Sequence, residues 1–251
     1  MLKRRVIPML LLRGERCVKG KKFTDFRDTG NPVMATRVYN AQAADELIFL
    51  DIGATNEARP TSLDVVLKVS EEAFMPFTVG GGIKTTEDIR RALVAGADKV
   101  AITTAAVENP SLIAGAAEMF GTQCVVAGID ARREDGKHVV YTHSSKKRHD
   151  VDLLELVREL DKLGAGEFLV NSIDEDGMMQ GYDIELLKKV VAVTKKPVIA
   201  CGGAGNYGHL AAAFEAGAHA VACASLFHFG DNNPPRVRSF LKNAGYPVKD
   251  I

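Results

Sequence analysis

The feature that most constrains the fold is an internal repeat. Gly81-Gly82, Ala95-Gly96-Ala97 and Thr103-Thr104 recur 121 positions later as Gly202-Gly203, Ala216-Gly217-Ala218 and Ala224-Ser225. Each copy reads as a strand that stops at glycines, a helix that ends at Ala-Gly-Ala, and a second strand that stops at a short polar or small pair. A period this long, present twice, is not a solenoid, whose units recur every ~20–50 residues. It marks two halves of one body joined near Phe120.

The rest of the chain has the same grain. Apolar strand-like runs cover Val6 to Leu12, Leu47 to Ile52, Phe77 to Val79, Val100 to Thr103, Val125 to Asp130, Phe168 to Ser172, Val198 to Cys201 and Ala220 to Cys223. Helical patterns cover Pro32 to Ala44, Ser62 to Ala73, Thr86 to Ala95, Pro110 to Phe120, Val151 to Leu163, Ile184 to Val193, Gly208 to Ala216 and Pro235 to Ala244. Strict alternation predicts βα units on a parallel sheet. Eight of each predicts an α/β fold, a (β/α)8 TIM barrel built from two half-barrel repeats, with residues 1–251 as its single domain.

Charge narrows the partners. Lys+Arg and Asp+Glu balance at 32 each, so the basic footprint of a nucleic-acid binder is missing and any anion site must be local. Cys17, Cys124, Cys201 and Cys223 show no C-x-x-C spacing and sit mostly in apolar runs, which reads as reduced thiols and a cytoplasmic location. The apolar run Val6 to Leu12 is too short to span a membrane. No H-x-x-x-H pair occurs, so no metal is expected, and no cofactor. His209, His219 and His228 read as surface or helix-end residues.

A strand that ends in glycine ahead of a helix leaves backbone N–H groups free for an anion. Pro197 to Cys201 followed by Gly202, Gly203 and Gly205 has this form. Gly82 with Thr104, and Gly203 with Ser225, are therefore candidate phosphate sites, and two of them imply a phosphorylated small molecule with a phosphate at each end. The alternative is that these glycines only permit tight turns. Asp130 closes a strand in Gly128-Ile129-Asp130, where its side chain would enter the barrel mouth as a general acid or base, or else cap the next loop. Asp51 and Asp176 follow strand ends and suit substrate hydroxyls or plain loop polarity. Asp174 and Glu175, beside Asp176-Gly177, read as solvated charges. The segment Arg13 to Asn31, with Lys19, Lys21, Lys22 and Arg27, is a candidate lid. Arg132 to Asp150 is predicted to turn at Asp135-Gly136. At the opposite strand ends stand Arg5, Glu46, Lys99 and Glu167. They suit an ion-pair ring across the barrel floor, although position alone reads as exposed strand-start charge.

Val79-Gly80-Gly81-Gly82-Ile83, Asn109-Pro110-Ser111-Leu112-Ile113, Gly181-Tyr182-Asp183, Gly202-Gly203-Ala204-Gly205 and Phe227-His228-Phe229, with Arg5, Lys19-Gly20, Asp51-Ile52 and Ser172-Ile173-Asp174, resemble the cyclase subunit of imidazole glycerol phosphate synthase, the HisF type. The likeness covers nearly the whole chain. It implies a glutaminase partner of the HisH kind at the barrel floor, with Asp98 on the partner-facing surface. It also implies an ammonia gate formed by Arg5, Glu46, Lys99 and Glu167, and a bisphosphorylated substrate held at the top, where Lys19, Asp51, Asp176 and Gly177 are candidate binding residues. The family's acid-base pair is two aspartates. Asp130 supplies one, and Leu11 stands where the other belongs. That departure is similar to a branch linked to sugar acetamidino modification, which predicts ammonia delivery for amidination of a surface sugar, with a sugar amidotransferase as a further partner. The histidine-pathway cyclase reaction and a non-catalytic ammonia conduit that activates its glutaminase are the alternatives.

Overall fold

Burial along the first strand sets the architecture. In β1 (Arg5–Arg13), Val6, Leu10 and Leu12 pack outward against helices while Ile7, Met9 and Leu11 pack inward, and all six are buried. A strand apolar on both faces belongs to a covered parallel sheet. The computed structural model describes residues 3–250, and the parallel neighbours of β1, the strands Leu47–Asp51 and Ala220–Cys223, obey this rule. Two antiparallel strands, β2 (Arg16–Lys21) and β3 (Thr24–Gly30), follow it, then α1 (Pro32–Ala41), β4 (Leu47–Asp51), α2 (Leu63–Ser70), β5 (Phe77–Gly80), α3 (Thr86–Val94), β6 (Lys99–Ile102), α4 (Thr104–Glu108) and α5 (Ser111–Phe120). The second half comprises β7 (Val125–Glu134), β8 (Lys137–Thr142), β9 (Lys147–His149), α6 (Leu153–Lys162), β10 (Glu167–Ser172), α7 (Ile184–Val191), β11 (Val198–Cys201), α8 (Tyr207–Glu215), β12 (Ala220–Cys223), α9 (Ser225–His228) and α10 (Pro234–Asn243).

Eight parallel strands close the circuit β1-β4-β5-β6-β7-β10-β11-β12, and β12 returns to β1 with Arg5 opposite Ala220. The chain is thus the expected (β/α)8 barrel. The sequence repeat is its structural repeat: β5-α3-β6-α4 in one half answers β11-α8-β12-α9 in the other. Helix ends follow local chemistry. Thr85 and Asp88 form a capping box at the start of α3, and Asn206 caps α8 through His209 N–H. Gly96 and Gly217 end the two helices at φ +105° and +100°, where a side chain would be strained. In α6, Leu153, Leu156, Val157 and Leu160 fall on one buried stripe, each contributing roughly 1.5–3 kcal/mol by leaving water.

Three features differ from expectation. Helices α4 and α9, five and four residues long, were not foreseen because one turn carries no periodicity. The long segment after β1 is not an open loop: β1, β2 and β3 form a meander, with Leu11 opposite Val18 and Cys17 opposite Gly30. The predicted helices around α1 and α2 run on about three residues too far, since Ala43 takes a positive φ of 50° that ends the first. The turn at Asp135-Gly136 forms as predicted, with φ of +46° and +77° joining β7 to β8.

Candidate functional site

The C-terminal ends of the barrel strands surround a cavity of about 850 Å3, counting its open mouth, roofed by Phe23 and Phe26 from the β2–β3 meander. That roof is latched. Lys19 Nζ lies 2.7 Å from Asp176 Oδ1, both side chains almost fully buried, and Asp176 also accepts from the N–H groups of Lys22 (2.8 Å, main chain) and Phe23 (3.4 Å, side chain). Gly177, at φ +73°, lies so close under the meander that a Cβ would strike the Gly20 carbonyl oxygen. Lys19, Asp176 and Gly177 therefore come together at the mouth, as the lid's fastening.

Beside the latch is the second half's candidate anion site. Gly202, Gly203, Ala224 and Ser225 line a small recess with Lys19 and Asp176. The Ser225 hydroxyl is buried and has no hydrogen-bond partner, an arrangement that ordinarily costs stability unless a ligand supplies the bond. The matching site in the first half is arranged differently. Thr104 lines the main cavity with Gly81, whereas the Gly82 N–H is directed at Thr55 Oγ1 (3.2 Å). Gly81, not Gly82, is the glycine that faces the pocket there. Thr104 Oγ1 accepts from the His143 N–H (3.4 Å), which ties the β8–β9 hairpin to the same corner.

Asp130 ends the barrel portion of β7 and reaches the cavity, where Asn171 Nδ2 donates to its Oδ1 at 3.1 Å. Burial pushes the Asp130 carboxyl up to about 7, against the pull of the Asn171 amide, and the Asp176 charge adds to the rise. A carboxyl balanced between its two forms near neutral pH suits proton transfer. Leu11 lines the same cavity and offers no proton. Asp51 also borders it, but its carboxylate is taken up by Arg59, at 2.6 and 3.0 Å, and by the N–H groups of Gly53 and Ala54. Its observed work is to organise the loop after β4.

At the other end of the barrel, the four strand-start charges meet. Arg5 Nη1 lies 2.6 Å from Glu46 and Arg5 Nη2 2.9 Å from Glu167, while Lys99 Nζ lies 3.1 Å from Glu46 and 2.8 Å from Glu167. The bland reading of exposed charges gives way: this is a closed, neutral ring of mostly buried groups. Burial works against the charge on Glu167, yet the Arg5 and Lys99 contacts hold its carboxyl below the usual range. Above the ring the barrel interior is lined by Ile7, Ile48, Ala101, Val126, Leu169 and Ile199, with buried Thr78 in register with Ile48. Asp98 is exposed near this floor, and its carboxylate caps the Phe77 N–H at 2.8 Å.

His209 and His228 stand at helix ends as expected, whereas His219 precedes a strand and Asp174 is not simply a solvated charge. His209 Nδ1 accepts from Gly205 N–H and His219 Nδ1 from Val198 N–H, so both brace glycine turns or strand starts. His228 ends α9 with its Nε2 buried and unpartnered, and burial next to Lys19 brings its pKa down to about 4. Asp174 accepts from Arg133 N–H at 2.7 Å, anchoring the β7–β8 extension. Sequence reasoning missed Asn171 and Arg59. A polar residue ending the run Leu169-Val170-Asn171 was the available signal for the first, and nothing local marked the second. Among the described residues no His, Cys, Asp and Glu group could hold a metal, and no helix is long and apolar enough to cross a membrane.

A closed (β/α)8 barrel with hydroxyl-and-glycine recesses at its mouth, one near-neutral carboxyl and a charged floor belongs to the class of TIM barrels whose polar groups gather at the C-terminal ends of the strands. Comparison with known proteins sharpens this. Residues 5–233 match the family model described as "Histidine biosynthesis protein". The chain is 49% identical to "Imidazole glycerol phosphate synthase subunit HisF" of Streptomyces coelicolor, over 98% of each chain. It is 49% identical to the same-named protein of Caulobacter vibrioides, over 99% of this chain and 97% of the relative, and 47% identical to that of Frankia casuarinae, over 98% of each. The chain belongs to the histidine biosynthesis protein family, as a barrel of the HisF type.

Proposed function

We propose that this barrel is the cyclase subunit of an imidazole glycerol phosphate synthase, taking ammonia from a glutaminase of the HisH kind at its floor and using it on a bisphosphorylated substrate at its mouth. The observation that carries this reading is the alignment of three parts along one axis: a neutral ion-pair ring, an apolar lumen and a cavity holding Asp130. An apolar lumen admits neutral ammonia and opposes ammonium, whose charge would be stripped of water. Thr104 with Gly81, and Ser225 with Gly203, would hold the two phosphates, Lys19 and Asp176 would close the lid, and Asp130 would move the proton. Asp98 would face the partner.

The name shared by the relatives favours the histidine pathway over amidination of a surface sugar. One observation supports the second reading. Leu11 faces the cavity and leaves Asp130 without a second acid-base group. Amidination with a sugar amidotransferase, or an ammonia conduit that activates its glutaminase, asks less of that position. Turnover of the histidine-pathway bisphosphorylated substrate by the purified chain with added ammonium salt, beside Leu11→Asp, decides between them. Turnover by the natural chain supports the cyclase. Turnover by Leu11→Asp alone, or by neither, supports the second reading.

A further inference from the structure

We propose that Asn171 is the group that receives ammonia at the top of the lumen, binding it between its own carbonyl oxygen and the Asp130 carboxylate; the assignment rests on the reading that ammonia is a substrate. Asn171 lies on β10 two residues beyond the lumen residue Leu169, opposite Asp130 on one side and Cys201 on the other. In its ionised form the Asp130 carboxylate only accepts hydrogen bonds, so in that form the carboxamide turns its Nδ2 toward Asp130, as the 3.1 Å contact has it. That orientation fixes where Oδ1 points. This oxygen is buried, faces no donor and belongs to a residue that lines the cavity. Gly202 makes room for it, since a Cβ there would stand 2.7 Å from Oδ1.

A buried acceptor without a donor is an expensive feature to keep. Its ligand must bring an N–H or O–H group, be small enough to reach a point between β10, β7 and β11, and be able to arrive there. Phosphate oxygens are acceptors and do not qualify. The lumen walls directly below are Ile7, Ile48, Ala101, Val126, Leu169 and Ile199, with buried Thr78 beside Ile48 the polar residue among them, and Asn171 and Asp130 are the first polar side chains on β10 and β7 above those walls. Ammonia leaving an apolar passage has three N–H donors and one lone pair. Asn171 Oδ1 and Asp130 can each accept one N–H, which leaves the lone pair free. Asn171 would thus serve both as a contact for the nucleophile and as a positioning residue for Asp130. A substrate hydroxyl is the competing donor, and the experiment must separate the two.

The test uses the full chain and two readouts. In steady-state turnover driven by ammonium salt, Asn171→Ala should raise the KM for ammonia about tenfold or more, leave the KM for the phosphorylated substrate within about twofold, and move the pH profile governed by Asp130 toward higher pH. Asn171→Ser, which restores an acceptor, should recover part of the ammonia KM. A rise in the KM for the phosphorylated substrate with that for ammonia unchanged overturns the proposal in favour of the hydroxyl. The second readout needs no turnover: the side-chain amide signal of Asn171 in 15N NMR, identified by its loss in Asn171→Ala, is followed while ammonium chloride replaces potassium chloride at a pH where free ammonia is present. A saturable shift with ammonium alone is expected. No shift refutes ammonia binding here, whereas a shift in a chain that turns over nothing refutes the proposed cyclase activity and not this site.

Discussion

The latch between Lys19 and Asp176 makes the sharpest quantitative claim. Both side chains are almost wholly buried, at 2% and 6% exposure. Removing the cation by Lys19→Met leaves an uncompensated carboxylate in that place, and breaking a buried pair in this way costs about 3–5 kcal/mol. The global fold need not bear that cost. The β2–β3 meander is largely exposed along β3; beyond the ladder that joins the start of β2 to β1, its far end is fastened to the barrel mouth by few bonds, chiefly Lys19, Lys22 N–H and Phe23 N–H, all to Asp176. Opening the meander hydrates Asp176, so the penalty is bounded by the free energy of local opening.

Lys19→Met should therefore accelerate hydrogen exchange of the amides from Lys19 through β3 by about 10²–10³-fold, since 1.4 kcal/mol is a factor of ten. The urea midpoint of global unfolding should move little. The double variant Lys19→Met with Asp176→Leu replaces the pair by apolar groups and should return exchange close to its original rate, because desolvation no longer penalises closure. If the double variant exchanges as fast as the single one, the buried charge is not what opens the lid. If global stability falls by the full 3–5 kcal/mol while meander exchange is unchanged, the lid is not a separable unit.

The buried Asp130 carboxyl should lower stability at neutral pH. Its folded pKa of about 7 lies above the unfolded value of ~3.9. Between those values the native state holds a proton that the unfolded state has lost, so stability falls as pH rises through this window and the whole cost is present above about pH 7. Asp130→Asn should unfold at higher urea than the natural chain at pH 8, by a few kcal/mol at most, and equally at pH 4, while turnover is lost. Lys99→Met should act with the opposite pH sense. Glu167 is held below its usual pKa by Arg5 and Lys99, and Arg5 still pairs both glutamates when Lys99 is gone, so a deficit of about 1.5–3 kcal/mol, that of a hydrogen bond to a charged group, should appear at pH 7 and shrink as pH falls below the ordinary glutamate range, with glutamine-driven turnover lost more than ammonium-driven turnover. Ser225→Ala removes a buried hydroxyl that has no partner; calorimetry should find it no less stable than the natural chain, and its KM for the phosphorylated substrate should rise about tenfold.

Why some of this was legible in the chain and some was not follows from the range over which each signal acts. Alternation of apolar runs and helical patterns is local, and a strand buried on both faces such as Val6 to Leu12 writes that burial into consecutive residues, so the barrel could be read directly. The repeat from Gly81 to Ser225 carried the halves. The strands of the meander are not legible in the chain because β3, Thr24 to Gly30, is exposed on most positions and leaves no alternation to detect. The ring at the floor lay between the two cases: Arg5, Glu46, Lys99 and Glu167 each announced a strand start, but only closure of the sheet brings residues separated by up to 162 positions within ion-pair distance. Asn171 was hardest. Its meaning lies in Asp130, 41 residues away, and in the carbonyl oxygen that this contact leaves over. A residue type chosen for what its partner leaves unsatisfied has no signature along the chain, and it becomes visible only when every buried donor and acceptor is paired off in three dimensions.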